Sequence, residues 1–224
     1  MRLYSYLKNN ANLTKSEVTK LYNESRITVN HEKKNLSYII RDGDFICIDE
    51  EEIKEVEYKY YIYNKPIGVV CTNNTLVNNN IKDITNINER VYPVGRLDKD
   101  SHGLIILTND GKFTNYVIGR DSHIEKEYVV RVEKRINNIF IESIQKRVLL
   151  NNKLTLENKS YLIDDYTFGI ILREGMYHQI KKIVRMNNNK VIDLKRIRIG
   201  NIKIDILENK NINLMEIANI KEII

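Results

Sequence analysis

The sequence predicts an α+β protein in two parts: a small amino-terminal module of two helices and a short β element, then a larger domain built on a mainly antiparallel sheet. Three observations carry this. Segments with strand character outnumber helical ones, several follow one another with no helix between, and a dense acidic stretch, Asp49 to Glu57, separates the two parts as a solvated linker would. With the boundary there, the domains are 1–56 and 57–224.

In the first part the second helix is the best marked. Thr14 and Glu17 have capping-box spacing, and Val18, Leu21 and Tyr22 follow at helical intervals, so the helix is expected to run to about Ser25. RITVN (26–30) and DFICID (44–49) alternate like short strands, and Asp42-Gly43-Asp44 supplies turn chemistry before the second. In the second part YKYYIY (58–63), GVVCT (68–72), GLIILT (103–108), KEYVVRV (126–132), YLIDD (161–165), FGIILR (168–173) and KVIDLKRIRIG (190–200) read as strands. KFTNYVI (112–118), NNIFIESIQKRV (137–148) and MYHQIKKIVRM (176–186) read as helices.

A chain of 224 residues, 42% of them hydrophobic, can bury a good-sized core. The formal charge of +6 and the pI near 9.1 suit a polyanionic partner. Its distribution is more telling: residues 58–224 carry 27 Lys and Arg against 19 Asp and Glu, whereas residues 1–57 carry 9 against 11. Cys47 and Cys71 lie far apart, each among apolar residues, which reads as two reduced core thiols and not as a disulfide framework or zinc knuckle. No apolar run reaches membrane-spanning length and MRLYSYLKNN lacks the features of a secretory signal, so a cytoplasmic protein without a membrane partner is expected.

Arg2-Leu3, Thr14-Lys15-Ser16, Arg26-Ile27-Thr28-Val29-Asn30 and Asp42-Gly43-Asp44 stand in the order found in the S4 RNA-binding domain, and the amino-terminal part resembles that domain. Tyr4-Ser5 stands where the family usually has Asp-Lys, and Ser25 where it usually has Gly. The resemblance implies RNA contact through Lys15 and Arg26. A small cap without RNA contact of its own is the competing reading.

The most informative block is Val91 to Gly111, VYPVGRLDKDSHGLIILTNDG. Asp98 here is a carboxylate in a Gly-flanked loop just before a strand, the kind of place where catalytic groups concentrate, although an isolated Asp after Arg-Leu is ordinarily a turn residue. The whole string decides. Gly-Arg-Leu-Asp, four residues, then Gly-Leu and an apolar strand closed by Thr-Asn-Asp-Gly closely resembles the central motif of pseudouridine synthases of the RsuA and RluB/RluE/RluF type. Asn64-Lys65-Pro66-Ile67-Gly68 and Glu125-Lys126-Glu127-Tyr128 resemble two further family segments. Arg173-Glu174-Gly175-Met176-Tyr177-His178-Gln179-Ile180-Lys181-Lys182 resembles the segment of the small-subunit members. Departures are local: Ser101 replaces the usual Thr, Met176 replaces a frequent Arg, and His102, where Glu is common, reads as an exposed residue without a role.

The resemblance implies isomerisation of a uridine to pseudouridine in ribosomal RNA, most closely that of the small subunit, with no cofactor and no metal. Asp98 would be the catalytic carboxylate, Lys181 the cation that keeps it charged, and Tyr128 the aromatic at the uracil. Taken alone, Lys181 reads as a solvated helix lysine and Tyr128 as a half-buried strand residue. Arg96 would reach a phosphate or brace an extruded nucleotide. On a helix from 176 to 186, His178, Lys182 and Arg185 share a face opposite Ile180, Ile183 and Val184, and that basic face would meet the RNA backbone. His178 has no carboxylate or thiol cluster at ligand spacing, so no metal site is expected. The implied partner is ribosomal RNA or the assembling small subunit, met by a monomer. Alternatives are a large-subunit synthase of the same family, a non-catalytic RNA-binding protein, and a carboxylate hydrolase that would need Asp100 or Asp110 as its second acid.

Overall fold

The computed structural model describes residues 1–11, 13–74, 76–88, 91–119, 121–208, 214–217, 220 and 224. The chain divides into two units, Met1–Glu57 and Tyr58–Ile224.

The first unit holds α1 (Leu3–Asn10), α2 (Lys15–Asn23), β1 (Ile27–Val29), β2 (Ile46–Ile48) and β3 (Glu51–Glu52). The capping box at α2 closes as its spacing requires: the Glu17 amide donates to Thr14 Oγ1 at 3.3 Å, and the Thr14 amide donates to the Glu17 carboxylate at 2.7 Å. The helix stops at Asn23, short of the expected Ser25, because Ser25 takes φ 59° in the left-handed region. The acidic stretch is not wholly a linker. Asp49 and Glu50 turn the chain at positive φ, Glu51 and Glu52 pair with β2, and the Ile53 amide donates to the Ile46 carbonyl at 2.7 Å. Leu3, Leu7, Val18, Ile27, Val29 and Ile46 make the core of this unit, with Ile53 packed against it. An apolar side chain with a core to join outweighs the local preference of its acidic neighbours for solvent.

The second unit runs β4 (Tyr60–Lys65), α3 (Ile81–Thr85), β5 (Tyr92–Val94), β6 (His102–Thr108), α4 (Gly111–Ile118), β7 (Lys126–Val132), α5 (Asn138–Gln145), β8 (Leu149–Leu150), β9 (Lys153–Leu154) and β10 (Lys159–Asp164). It continues through β11 (Thr167–Leu172), α6 (Gln179–Met186), β12 (Val191–Ile199), β13 (Ile202–Lys203), α7 (Asp205–Glu208) and β14 (Leu214–Glu216). Among the described residues nine strands form one sheet with the central order β10-β11-β7-β12-β6-β4-β14, while β5 pairs with β6 and β13 with β12. Pairing is antiparallel except between β12 and β6, so the sheet is mixed.

The near-continuous apolar runs of β4 and β6 follow from burial on both faces. Tyr61, Tyr63, Ile105 and Leu107 enter one core, with Phe168, Ile183 and Val184; Tyr60, Ile62, Leu104 and Ile106 enter the other, with Phe113 and Val117 of α4. Asp110 caps α4 by accepting from the Lys112 and Phe113 amides, and it also accepts the Tyr60 hydroxyl proton at 2.7 Å.

GVVCT is not a strand. Gly68 takes φ 91°, and Val70 makes only an isolated bridge to Asn80. Val69 and Cys71 are buried, so the segment's apolar character serves a packed loop, which periodicity over five residues cannot distinguish from a strand.

Gly103 is required by close approach. It pairs with Arg196 at φ 103°, and a Cβ there would lie 2.3 Å from the Arg196 carbonyl oxygen. Gly103→Ala is expected to destabilise the protein by on the order of 3 kcal/mol, lowering the thermal midpoint by roughly 6–12 °C. A calorimetric scan checks this; an unchanged midpoint would mean that β6 and β12 part easily.

Candidate active site

Asp98 lies in the loop between β5 and β6, and two neighbouring segments hold that loop in place. The Gly68 amide donates to the Lys99 carbonyl at 2.7 Å, and the Leu97 amide to Cys71 Sγ at 3.4 Å. Below them the Lys65 ammonium, fully buried, donates to the carbonyls of Pro66 and Val69 and so ties the supporting loop to the end of β4. Burial pulls the pKa of Lys65 below the ordinary lysine value.

Two side chains converge on Asp98 from the carboxyl-terminal half of the chain. Lys181 Nζ, on the first turn of α6, lies 2.8 Å from Asp98 Oδ2 and 2.6 Å from Asp100 Oδ1. His178 Nε2 lies 3.4 Å from Asp98 Oδ1. Burial acts to lower the pKa of Lys181, but the bonds from Asp100 and Asp98 together outweigh it and the net direction is upward. The Asp100 carboxyl is held below the usual range, chiefly by the Lys181 bond.

Asp98 and Lys181 line a cavity of about 100 Å³ whose remaining wall includes Arg96, Tyr128, Leu172, Ile180 and Leu194. Tyr128 is on β7, 9% exposed, between Ile170 and Arg196 in the register. The buried Ser101 hydroxyl also lines the cavity and has no hydrogen-bond partner among the described residues.

The 174–178 segment is braced from within: Gln179 accepts from the Met176 amide and donates to Glu174, each at 2.9 Å. His178 is the N-cap of α6 and holds φ 55°, a conformation that costs a non-glycine residue of order 1 kcal/mol. It therefore precedes α6 instead of lying within a helix that starts at 176, and its ring reaches Asp98. It stacks on Tyr177 with ring centroids 3.8 Å apart. Lys182 lies over the other end of this pair, 5.3 Å from the Tyr177 ring, and donates to Asn151 Oδ1 at 3.2 Å. Arg185 is exposed, as is Lys15 in the first unit, whereas Arg26 is bridged to Asp49 and Glu24.

Sequence reasoning missed the aliphatic wall, Ser101 and the second partner of Lys181. Leu172, Ile180 and Leu194 have no signal that separates them from ordinary core residues, and Asp100 enters the sequence reading only as the second acid of a hydrolase. His102 is not a bystander: Nε2 lies 3.0 Å from Asp193 Oδ1, joining the start of β6 to β12. Asp110 is committed as a helix cap, far from the role a hydrolase would give it.

A part-buried carboxylate bonded to an ammonium, with an aromatic and aliphatic wall, on loops supported by a large mixed sheet, defines an enzyme and not a passive binding surface. The model of RNA pseudouridylate synthases matches residues 59–217, and the chain belongs to that family: it is an RNA pseudouridine synthase. Ribosomal small subunit pseudouridine synthase A of Pasteurella multocida is 32% identical over 92% of this chain and 91% of its own length. The dual-specificity RNA pseudouridine synthase RluF of Escherichia coli is 30% identical over 91% of this chain and 71% of its own. A crystal structure of a pseudouridylate synthase superposes with a TM-score of 0.67 at 27% identity, covering 99% of this chain and 97% of the other.

Among the described residues no helix is long and apolar enough to cross a membrane.

Proposed function

We propose that this enzyme converts one uridine of ribosomal RNA, that of the small subunit, to pseudouridine, with Asp98 as the essential carboxylate. The observation that carries this reading is the 2.8 Å bond from Lys181 Nζ to Asp98 Oδ2 in a cavity walled by Tyr128. Isomerisation breaks the N1–C1′ bond, turns the base, joins C5 to C1′ and releases the C5 proton, so no outside group or electron enters. An ionised carboxylate can attack the sugar or accept a proton from it, and a neighbouring ammonium favours the ionised form. Tyr128 presents an aromatic face to the uracil and a hydroxyl toward C5. The cavity lies inside the protein surface, so the nucleotide has to leave its stack to reach it, with Arg96 at the mouth to brace it. His178, Lys182 and Arg185 take the RNA backbone beside it.

The small-subunit assignment is supported by the names of the Pasteurella multocida and Haemophilus influenzae relatives and by the Tyr-His-Gln-Ile-Lys-Lys wording of residues 177–182. We take residues 1–56 as an S4-like RNA-binding domain and 57–224 as the catalytic domain of a cytoplasmic monomer that acts on the RNA or the assembling small subunit. Lys15 is exposed for RNA contact; Arg26 has to exchange its carboxylate partners for phosphate. Removal of residues 1–56 is expected to weaken RNA binding and to flatten its dependence on salt. Filter binding across a salt series checks this, and an unchanged slope would make the first unit an inert cap.

The whole reading is tested with ribosomal RNA tritiated at uracil C5. Release of one equivalent of tritium from small-subunit RNA is expected; release only from large-subunit RNA moves the substrate, and none from either leaves an RNA-binding protein without activity on ribosomal RNA.

A further inference from the structure

Next to the Asp98 cavity lies a larger one of about 480 Å³, and the two share Arg96, Tyr128 and the 174–176 segment as a common wall. Its chemistry is not that of a uracil pocket. Arg196 lines it although it is only 3% exposed. The side chain is anchored at one end, where Nε donates to the Leu104 carbonyl at 2.6 Å, while the buried Nη2 has no hydrogen-bond partner among the described residues. Lys126, 7% exposed, lines the same cavity and donates to the Val117 carbonyl at 2.8 Å.

Folding has thus carried two cations into one cavity without giving either a carboxylate partner among the described residues. The backbone accounts for their placement. Arg196 sits on β12 between Tyr128 and Gly103, where the missing side chain of Gly103 lets the strands approach, and Gly95 at φ 73° lies beside its Nη1.

The other charges on the wall are also mostly positive. Arg96 and Lys153 line the cavity, and Arg173 does so while bridged to Glu125 at 3.2 Å. Among the described residues Glu174 is the one carboxylate there; its Oε1 accepts from the Leu156 amide and from Gln179, and Lys153 lies 3.9 Å from its Oε2. Burial and the nearby Arg196 pull the pKa of Lys126 down to about 8. An anion in the cavity relieves that penalty.

We propose that this second cavity is a phosphate site, in which Arg196 and Lys126 take a backbone phosphate of the RNA adjacent to the nucleotide whose base enters the Asp98 cavity. A guanidinium with a free edge matches two phosphate oxygens, and the ammonium adds a point charge. The site fixes which nucleotide reaches Asp98, because a phosphate held beside Tyr128 sets the reach of the extruded sugar. This assignment rests on the proposed function, in that RNA is the occupant.

The test is ethylation interference. Small-subunit RNA, ethylated sparsely at its phosphates, is partitioned into bound and free pools by the parent protein and by Arg196→Gln and Lys126→Met, whose melting curves are recorded alongside. The parent is expected to exclude ethylation, by roughly tenfold, at one phosphate within a nucleotide or two of the modified uridine. Both variants are expected to lose interference at that position and to bind with a salt slope smaller by about one. Lys126→Met replaces a buried stem with an apolar one of similar length, so it keeps the test open if Arg196→Gln does not fold. An unchanged interference pattern in a folded variant that still binds overturns the phosphate site while leaving the proposed function standing. Failure of the parent to bind either ribosomal RNA overturns both.

Discussion

Asp98→Asn is expected to bind RNA as the parent does and to form pseudouridine at least roughly 10⁴-fold more slowly. The exchange preserves shape, and the backbone bond from the Ser101 amide to the Asp98 carbonyl, 3.1 Å, does not depend on the side chain. What disappears is the charge. An amide oxygen neither attacks C1′ effectively nor accepts a proton at neutral pH, so either role of the carboxylate fails together. Lys181 retains Asp100 as a partner at 2.6 Å, so the variant does not leave an unpaired buried ammonium and should fold. Tritium release and filter binding on the same preparation separate the two effects; turnover within tenfold of the parent would remove Asp98 from the chemistry.

Lys181→Met is expected to cost about 10²–10³-fold in turnover, the scale of losing one preorganised charge at a reacting group. Its pH dependence follows from the directions of the two shifts. The pKa of Lys181 is raised, so its charge, and with it the pair, persists up to and beyond the ordinary lysine range. Asp100 is lowered by the Lys181 bond, so its contribution is present above the ordinary carboxylate value near 4 and fades only as pH falls further. Without the ammonium, Asp100 loses the bond that holds its carboxyl low and takes up its proton at higher pH, so the deficit of the variant should widen from pH 7 toward pH 4. Lys181→Arg, which keeps the charge and alters its geometry, should recover part of the loss. A profile of Lys181→Met parallel to that of the parent would mean that the lysine acts only in positioning.

The larger domain was legible where a long pattern met a single environment. β6, β7, β11 and β12 each offer six or more residues of consistent character, and Asp110 sits where a helix cap should, so these elements follow from local rules. The short elements did not. β5 and α3 span three and five residues, below the length at which periodicity separates strand, helix and loop, and GVVCT reads as a strand because a packed loop needs the same apolar residues. β3 lay hidden in the acidic stretch because the residue that secures it, Ile53, is a single apolar position among charges.

At the site, the motif marked Asp98, Tyr128 and Lys181, and the fold supplies what spacing cannot. Lys181 and Asp98 are 83 residues apart, and their meeting depends on α6 packing beside the β5–β6 loop. His178 was assigned to a basic helix face because helical spacing continues smoothly through it; the left-handed backbone that makes it a cap leaves no trace in composition. Nothing in the spacing of Lys195, Arg196 and Arg198 separates Arg196 from a surface cation, yet its position in β12 opposite Gly103 buries it. Alternation on one strand says which residues share a face, but which faces are covered is decided by the other strands and helices.

Whether this chain makes pseudouridine in ribosomal RNA through Asp98 is decided by carbodiimide labelling and primer extension across both ribosomal RNAs from cells with and without the gene. Pseudouridine has the mass of uridine, so the chemical tag is what reveals it. One stop in small-subunit RNA is expected to be missing without the gene, to return with the parent gene and not to return with Asp98→Asn. Restoration of that stop by Asp98→Asn, or no difference in either RNA, would contradict that expectation.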